Sequence, residues 1–212
     1  MTHRTMEASA VHFVHRLDPE DRARANFYGV LAALYADAPT RALLETVGTA
    51  EPLAEAEAGS LPLAWNRLVD ACRAMDPDAA QQEYWDLFVG TGKCEVNLHA
   101  SHWMTGFMME KPLVDLRTDL AALGLSRRPT GALLEDHIAA LFETMRLLIE
   151  GGDARPPAAV TDQRRFFERH IDPWMSKLCT ALKQTPLANF YRPVGEFTES
   201  FMAVERDSFA ID

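Results

Sequence analysis

Residues 133–149 show the strongest helical periodicity in the sequence, and this stretch limits how the rest of the chain can fold. Large apolar side chains recur there at spacings that place them on one face of an α-helix. These residues are Leu134, Ile138, Leu141, Met145 and Leu148. An apolar face of this length is stable only when other elements cover it, so we predict a central helix surrounded by packed neighbours.

Glu135, Asp136 and His137 lie at the start of this predicted helix. Carboxylates in a first turn are ordinary, because free backbone N–H groups and the helix dipole stabilise negative charge there. By helical angle, Asp136 is expected to point away from the apolar face and His137 to lie on its flank. A ligand that crosses this helix end would then contact both a charged group and the edge of the core.

The remaining sequence also predicts helices, and it shows no convincing alternating pattern of a half-buried strand. Asp18 before Pro19, and Asp76 before Pro77, each combine a capping side chain with a proline that suits the first helical position. Further helices are predicted at 40–47, 52–58, 61–75, 100–109, 112–123, 161–170, 172–182 and 187–204. In the last of these, Pro193 should cause a kink or a new start.

We therefore predict an all-α fold, a single-domain bundle of roughly nine or ten helices. The bundle is expected to span residues 19–212. Residues 1–18 show no clear period and are expected to form a poorly ordered N-terminal arm.

The composition narrows the classes of function. The 212 residues carry a net charge of −10, which disfavours a nucleic-acid partner and favours a basic peptide. Cys72, Cys94 and Cys179 form no CxxC pair and suggest neither a disulfide framework nor a thiolate metal site. The sequence shows neither the apolar core of a secretory signal nor an apolar run long enough for a membrane span. We expect a cytoplasmic protein that is not inserted in a membrane and holds no cofactor of its own.

Few residues suggest catalytic chemistry. Residues 90–94 (GTGKC) lack the first glycine and the final Ser/Thr of a phosphate-binding loop, and they follow a predicted helix instead of a strand. His99 and His102, with Cys94 nearby, have a spacing that could share a metal ion. A metal-dependent helical-bundle enzyme using these three residues is therefore the alternative to a non-catalytic binding protein, which the small chemical inventory favours.

Three segments carry recognisable motifs, and the order of the motifs adds to their specificity. Residues 84–90 (YWDLFVG) resemble Y/W-x-x-L-F-x-G, residues 135–138 (EDHI) resemble P-D-H-[IL], and residues 163–174 (QRRFFERHIDPW) resemble Q-x-x-F-F-x-x-H-L-x-P-W. Ser101 lies in a further block that is similar to A-S-x-[YW]. Together these blocks resemble the TorD/DmsD/NarJ family, the redox-enzyme maturation chaperones that serve molybdoenzymes. One departure is Glu135, which stands where the family motif usually has proline.

The resemblance implies an all-α chaperone without catalytic activity. Such a protein binds the twin-arginine signal peptide and the apo-form of a molybdopterin-dependent oxidoreductase. It holds this client until molybdopterin guanine dinucleotide is inserted, before export or assembly. Residues 106–113 and 203–205 look most like members associated with formate dehydrogenase. Dimethyl-sulfoxide, trimethylamine-oxide and nitrate reductases are the alternative clients.

A twin-arginine leader contains two guanidinium groups followed by an apolar stretch, so its receptor needs carboxylates beside an apolar groove. The resemblance marks Asp136 and His137 as the main peptide contacts, and Glu135 can supply a second carboxylate. The other predicted peptide-binding residues are Tyr84, Leu87, Phe88, Ser101 and Trp103. Core packing is the alternative role for residues of the first motif, although the hydroxyl of Tyr84 favours a solvent-exposed rim.

Residues 151–157 (GGDARPP) are the strongest break between two predicted helices and are predicted to form a mobile loop or a hinge. If the helices after this break were exchanged between two chains, the core contacts would be preserved while a dimer formed. We therefore expect a monomer or a domain-swapped homodimer.

Overall fold

The computed structural model describes residues 17–54, 59–90, 92–126, 133–152 and 155–211. The regular elements in these ranges are ten α-helices and one π-helical turn. They are α1 (Pro19–Ala36), α2 (Arg41–Gly48), α3 (Ser60–Ala74), α4 (Pro77–Tyr84), the π turn (Trp85–Val89), α5 (Ala100–Thr105), α6 (Lys111–Ala122), α7 (Ile138–Glu150), α8 (Val160–His170), α9 (Asp172–Gln184) and α10 (Tyr191–Ile211). The described ranges contain no strand and two isolated antiparallel bridges, His99 with His137 and Gly152 with Arg155. The predicted all-α class is confirmed.

The two Asp-Pro sequences start helices as predicted. The carboxylate of Asp18 accepts a hydrogen bond from the backbone N–H of Asp21 at 2.8 Å, and Pro19 is the first residue of α1. The carboxylate of Asp76 accepts hydrogen bonds from two backbone N–H groups of α4, at 3.0 and 3.1 Å. Local capping and a preset proline dihedral therefore explain both starts.

The helix α7 packs along α1, and α10 packs against α3 and α9. The rings of Tyr28 in α1 and Phe142 in α7 lie 5.7 Å apart, and Tyr28 also meets Phe201 of α10 at 4.8 Å. The apolar face predicted from the periodicity is buried, except that Leu134, which precedes α7, is partly exposed. These aromatic contacts join the central pair of helices to the C-terminal helix.

Two buried carboxylates connect distant parts of the chain. Glu205 of α10 accepts hydrogen bonds from Arg24 at 2.7 and 3.0 Å and from the Tyr28 hydroxyl at 2.9 Å, which joins α10 to α1. Glu83 of α4 accepts hydrogen bonds from three consecutive backbone N–H groups, those of residues 189–191, at 2.9, 2.9 and 2.8 Å. Because a buried carboxylate is costly unless it is hydrogen-bonded, these contacts fix how the connected helices pack.

Two predicted helices begin four or five residues later than expected, whereas the other displaced starts differ by one residue. The helix predicted at 133–149 begins at Ile138, five residues after the predicted start. The last helix begins at Tyr191, with Pro193 in its first turn. The N–H groups of a first turn have no intrahelical acceptor, so a proline there removes no helical hydrogen bond. Pro193 therefore accompanies a helix start, which was one of the two predicted outcomes.

Two other predictions fall partly outside the described ranges. Within the helix predicted at 52–58, residues 52–54 are not helical, and the other residues of that prediction lie outside the described part. Of the predicted N-terminal arm, only residues 17 and 18 are described. None of the helices that the structure describes is long and apolar enough to span a membrane.

Candidate functional site

The predicted site centres on the turn that leads into α7. The backbone N–H of His137 donates to the carbonyl of Leu134 at 3.1 Å, so Glu135 and Asp136 lie in a turn before the helix. His137 is the N-cap residue, and its Nδ1 accepts a hydrogen bond from the N–H of Ala139 at 3.2 Å. The three residues were expected in or near the first helical turn, and they lie directly before it.

Asp136 is buried, with 1% of its surface exposed. Its Oδ2 accepts hydrogen bonds from the N–H of Ser101 at 3.1 Å and from the Ser101 hydroxyl at 2.6 Å. The expectation that Asp136 points away from the core is wrong, because the helical-angle argument does not apply to a residue in the preceding turn. Its other oxygen, Oδ1, accepts no hydrogen bond from any residue that the structure describes.

Backbone hydrogen bonds hold the same turn against the segment that leads into α5. The N–H of Ala100 donates to the carbonyl of Asp136 at 2.9 Å, and the N–H of Ile138 donates to the carbonyl of Leu98 at 2.8 Å. The starts of α5 and α7 are therefore fastened together by both backbone and side-chain bonds. Asp136 and Ser101 act here as a structural connection between two helix starts.

The imidazole rings of His99 and His137 meet edge to face, with centroids 5.0 Å apart. Burial, and to a smaller extent the nearby His99, lowers the pKa of His137 to about 3. Burial also lowers the pKa of His99, against the opposing effect of the Asp136 charge. Both rings are therefore neutral at neutral pH, and His137 is a buried N-cap residue.

Glu135 lies at the outer side of this turn and is paired with Arg117 of α6. The guanidinium donates two hydrogen bonds, from Nε to Oε1 at 3.1 Å and from Nη2 to Oε2 at 2.9 Å. The Arg117 side chain is 50% exposed, whereas that of Glu135 is 14% exposed. The hydrogen bond to Glu135 raises the pKa of Arg117. A largely covered carboxylate thus holds a guanidinium that reaches it from the solvent side.

The residues of the first motif are mainly in the core. Tyr84 is buried, and its hydroxyl donates to the carbonyl of Tyr35 at 3.3 Å, so its expected place at a solvent-exposed rim is wrong. Leu87 is fully buried in the π turn. Phe88 is half-buried and packs against Tyr191, with ring centroids 4.7 Å apart. Core packing therefore accounts for these positions, and only Phe88 keeps a partly open surface.

Trp103 adjoins an exposed apolar patch, which we define as Met104, Phe107, Met108, Met109 and Val114. The indole Nε1 of Trp103 donates to the carbonyl of Asn97 at 2.7 Å, which leaves the ring half-buried. Phe107 and Met109 are 68% and 67% exposed. Exposed methionines adapt to varied apolar partners, and contiguous apolar patches commonly mark interaction surfaces.

One residue of the apolar patch, Val114, is next to the Glu135–Arg117 pair. Val114 and Arg117 are three residues apart on α6, so their side chains are neighbours on its surface. The sequence indicates Trp103, Phe107 and Met108 as candidates for the core or a groove, and it predicts only Trp103 of these as a peptide-binding residue. It does not predict Arg117 as a site residue. The run of apolar residues after Gly106 was the available signal for the patch, whereas nothing in the sequence connected Arg117 to Glu135.

The structure does not assemble the alternative metal site. The imidazole Nδ1 of His99 is 3.2 Å from the side-chain oxygen of Asn97, and the ring of His102 lies against that of Trp103. In the described ranges, which include Cys94, no three His, Cys, Asp or Glu side chains are placed to hold a metal ion. The hypothesis of a metal-dependent enzyme using Cys94, His99 and His102 therefore has no geometric basis.

Comparison with known proteins places the site in context. A family model described as "Nitrate reductase delta subunit" matches residues 54–180. This range is more than half of the chain and contains all eight predicted site residues. No protein with a curated description matches the sequence significantly.

A solved structure described as a "Putative Redox Enzyme Maturation Protein" from Archaeoglobus fulgidus is similar in fold, with a TM-score of 0.53. The match covers 94% of this chain and 99% of that chain, at 14% sequence identity. At this level of identity the likeness concerns the helical fold alone.

Proposed function

Because the chain belongs to the nitrate reductase delta subunit family, the TorD/DmsD/NarJ type of maturation chaperone, we propose that it binds the twin-arginine leader of a molybdopterin-dependent oxidoreductase. It acts in the cytoplasm, without a cofactor or catalytic role of its own. It holds the apo-form of this client until the molybdopterin cofactor is inserted, before export or assembly. Formate dehydrogenase is the first candidate client, on the resemblance of residues 106–113.

The observation that carries this proposal is the adjacency of an arginine-binding carboxylate and an exposed apolar patch. A twin-arginine leader presents guanidinium groups followed by an apolar stretch. Glu135 already binds a guanidinium in two-point geometry, and Val114 of the apolar patch lies one helical turn from that pair. The two chemical parts of a leader thus have matching neighbours on one surface.

The eight predicted peptide-binding residues divide into two roles under this proposal. The partly exposed residues, Phe88, Trp103 and Glu135, contact the peptide directly. The buried residues shape the surface that the peptide meets. They are Tyr84, Leu87, Ser101, Asp136 and His137.

The proposal is tested by calorimetric titration of a synthetic leader, with two arginines followed by an apolar stretch, into three forms of the protein. Replacing Phe107 and Met109 together by serine removes the most exposed part of the apolar patch. We expect this variant to bind about tenfold or more weakly, because two apolar side chains no longer leave water on binding. The wild type and Leu63→Ser, which changes an exposed apolar residue on α3, should bind equally well.

Thermal melts of all three forms show whether each is folded. The patch residues are exposed, so their replacement should leave the melting temperature close to that of the wild type. Equal affinities of the patch variant and the wild type would contradict the assignment of the patch. If the folded wild type binds no leader from any molybdoenzyme class, the proposed function is wrong.

A further inference from the structure

The ion pair between Arg117 and Glu135 has the geometry of an arginine-binding position that a residue of the chain itself occupies. Resting on the proposed function, we propose that Arg117 is a specificity-determining residue whose guanidinium occupies the arginine-binding position and is displaced by an arginine of the leader. Glu135 stands where the related motif usually has proline, which cannot accept a guanidinium through its side chain.

The geometry of the pair fits a guanidinium better than any other cation. Arg117 donates from Nε and Nη2 to the two oxygens of Glu135, at 3.1 and 2.9 Å. Only the planar fork of arginine can donate two parallel hydrogen bonds to one carboxylate, whereas an ammonium group acts as a point charge. The position therefore selects arginine over lysine, and an incoming arginine can adopt the same two-point contact.

The exposures of the two side chains show which partner can leave. Arg117 is 50% exposed and is therefore the partner that can turn into solvent more readily, whereas Glu135 is 14% exposed and stays in place. An incoming arginine can restore the same two-point contact, so the largely covered carboxylate of Glu135 keeps a cationic partner after the exchange. Exchange of one arginine for another at Glu135 is therefore inexpensive and reversible.

A second carboxylate makes the position attractive to a leader with two arginines. Asp136 follows Glu135 directly, and its charge acts on Arg117. It is buried, and its Oδ1 accepts no hydrogen bond from the described residues. The negative potential of this uncompensated oxygen adds to that of Glu135 and favours positive charge at the surface of the turn.

The exchange predicts opposite effects for the two members of the pair. Arg117→Gln removes the internal competitor, so binding of a leader with two arginines should become about two- to fivefold tighter. Glu135→Gln removes the acceptor, so binding should become about tenfold weaker. In the double variant, Arg117→Gln should give no gain, because the carboxylate for which the arginines compete is absent.

The experiment titrates two synthetic leaders, identical except that one carries two lysines in place of two arginines, into the wild type and these variants. Wild type should prefer the arginine leader, and Glu135→Gln should lose most of that preference. The matched control is Arg67→Gln, which removes the same charge from an exposed pair with Glu196 on a different helix. This control should bind both leaders as the wild type does.

Several outcomes would overturn the exchange while leaving the proposed function intact. One is binding of the arginine leader to Arg117→Gln that is unchanged or weaker than to the wild type. Another is equal tightening in Arg67→Gln, which would show a general effect of net charge. A gain from Arg117→Gln that persists when Glu135 is also replaced would exclude competition for that carboxylate. Absence of binding of either leader to the folded wild type overturns the proposed function itself.

Discussion

At the scale of single residues, Asp136 shows how a family motif can act through structure. Its carboxylate accepts two hydrogen bonds from Ser101 at the start of α5. Asp136→Ala leaves both donors buried without an acceptor, so we expect the free energy of unfolding to fall by about 2–4 kcal/mol. Asp136→Asn keeps an acceptor oxygen and should lose less. Urea denaturation of both variants measures this, and an unchanged midpoint for Asp136→Ala would contradict the structural role.

The lowered pKa of buried His137 should make the free energy of unfolding depend on pH. In the unfolded chain its imidazole becomes protonated as the pH falls through 6.5, whereas in the folded protein it stays neutral down to about 3. The unfolded state therefore binds more protons between these values, and stability is lost as the pH falls. When the pH is lowered from 7.5 to 5, His137 should reduce the free energy of unfolding by about 2 kcal/mol.

The matched variant for this effect is His137→Asn, since asparagine can still cap α7 through its side-chain oxygen. Its stability should fall less steeply on acidification than that of the wild type. Some dependence should remain, because burial also lowers the pKa of His99 and His170. Denaturation of both proteins at several pH values tests this. If the free energy of unfolding falls equally steeply with pH in both, groups other than His137 cause the pH dependence.

At the scale of elements, the sequence correctly predicts those helix starts that are fixed by residues close by in the chain. The helix starts at Asp18 and Asp76 are correct because the cap and the capped N–H groups are within three residues of each other. The start of α7 is misplaced because residues 98–101, far away in the sequence, bind the turn before it. The outward orientation predicted for Asp136 failed for the same reason. Periodicity identifies a helical face, but long-range hydrogen bonds decide where the helix begins.

Glu83 is a second case in which a residue far away in the sequence fixes a helix start. It caps α10 across more than a hundred residues, by accepting from the backbone N–H groups of residues 189–191. Glu83→Ala leaves these donors without that acceptor, so we expect a loss of about 3 kcal/mol in unfolding free energy. Asp76→Ala, which removes a local cap, should cost about 1 kcal/mol.

Hydrogen exchange resolves where each of these two effects acts. In Glu83→Ala, the amides of residues 189–191 should exchange faster than in the wild type. In Asp76→Ala, the change should be confined to the start of α4. If both variants lose equal stability, or if residues 189–191 stay protected in Glu83→Ala, this long-range cap is not important.

At the scale of the whole molecule, the sequence predicted the all-α class but not the surface on which the proposed function depends. The class follows from helical periods in many segments and is insensitive to errors at helix ends. The surface depends on which exposed side chains meet, and Arg117 meets Glu135 only because α6 packs beside the turn before α7. No periodicity carries that information, since both residues are polar and separated by a helix end.

The connection between α7 and α8 decides whether a domain-swapped dimer can form. Residues 153 and 154 of the predicted loop lie outside the described ranges. On either side of them, the N–H of Gly152 donates to the carbonyl of Arg155 at 2.9 Å, and the N–H of Arg155 donates to the carbonyl of Gly152 at 3.1 Å. Gly151 has a φ of 74°, and a Cβ atom there would lie 2.7 Å from the carbonyl oxygen of Arg155. A side chain at this position is therefore incompatible with the observed approach of Gly151 to residues 155–157.

Gly151→Ala should thus favour an open connection, in which α8 to α10 pack onto a second chain. We expect the dimer fraction to rise with protein concentration in this variant. The control is Gly152→Ala, where the added Cβ meets no atom of the described residues within 4 Å. Light-scattering chromatography over a wide concentration range measures both. If Gly151→Ala is monomeric throughout and only less stable than Gly152→Ala, the strain is relieved by local unfolding, and the prediction of a swapped dimer fails.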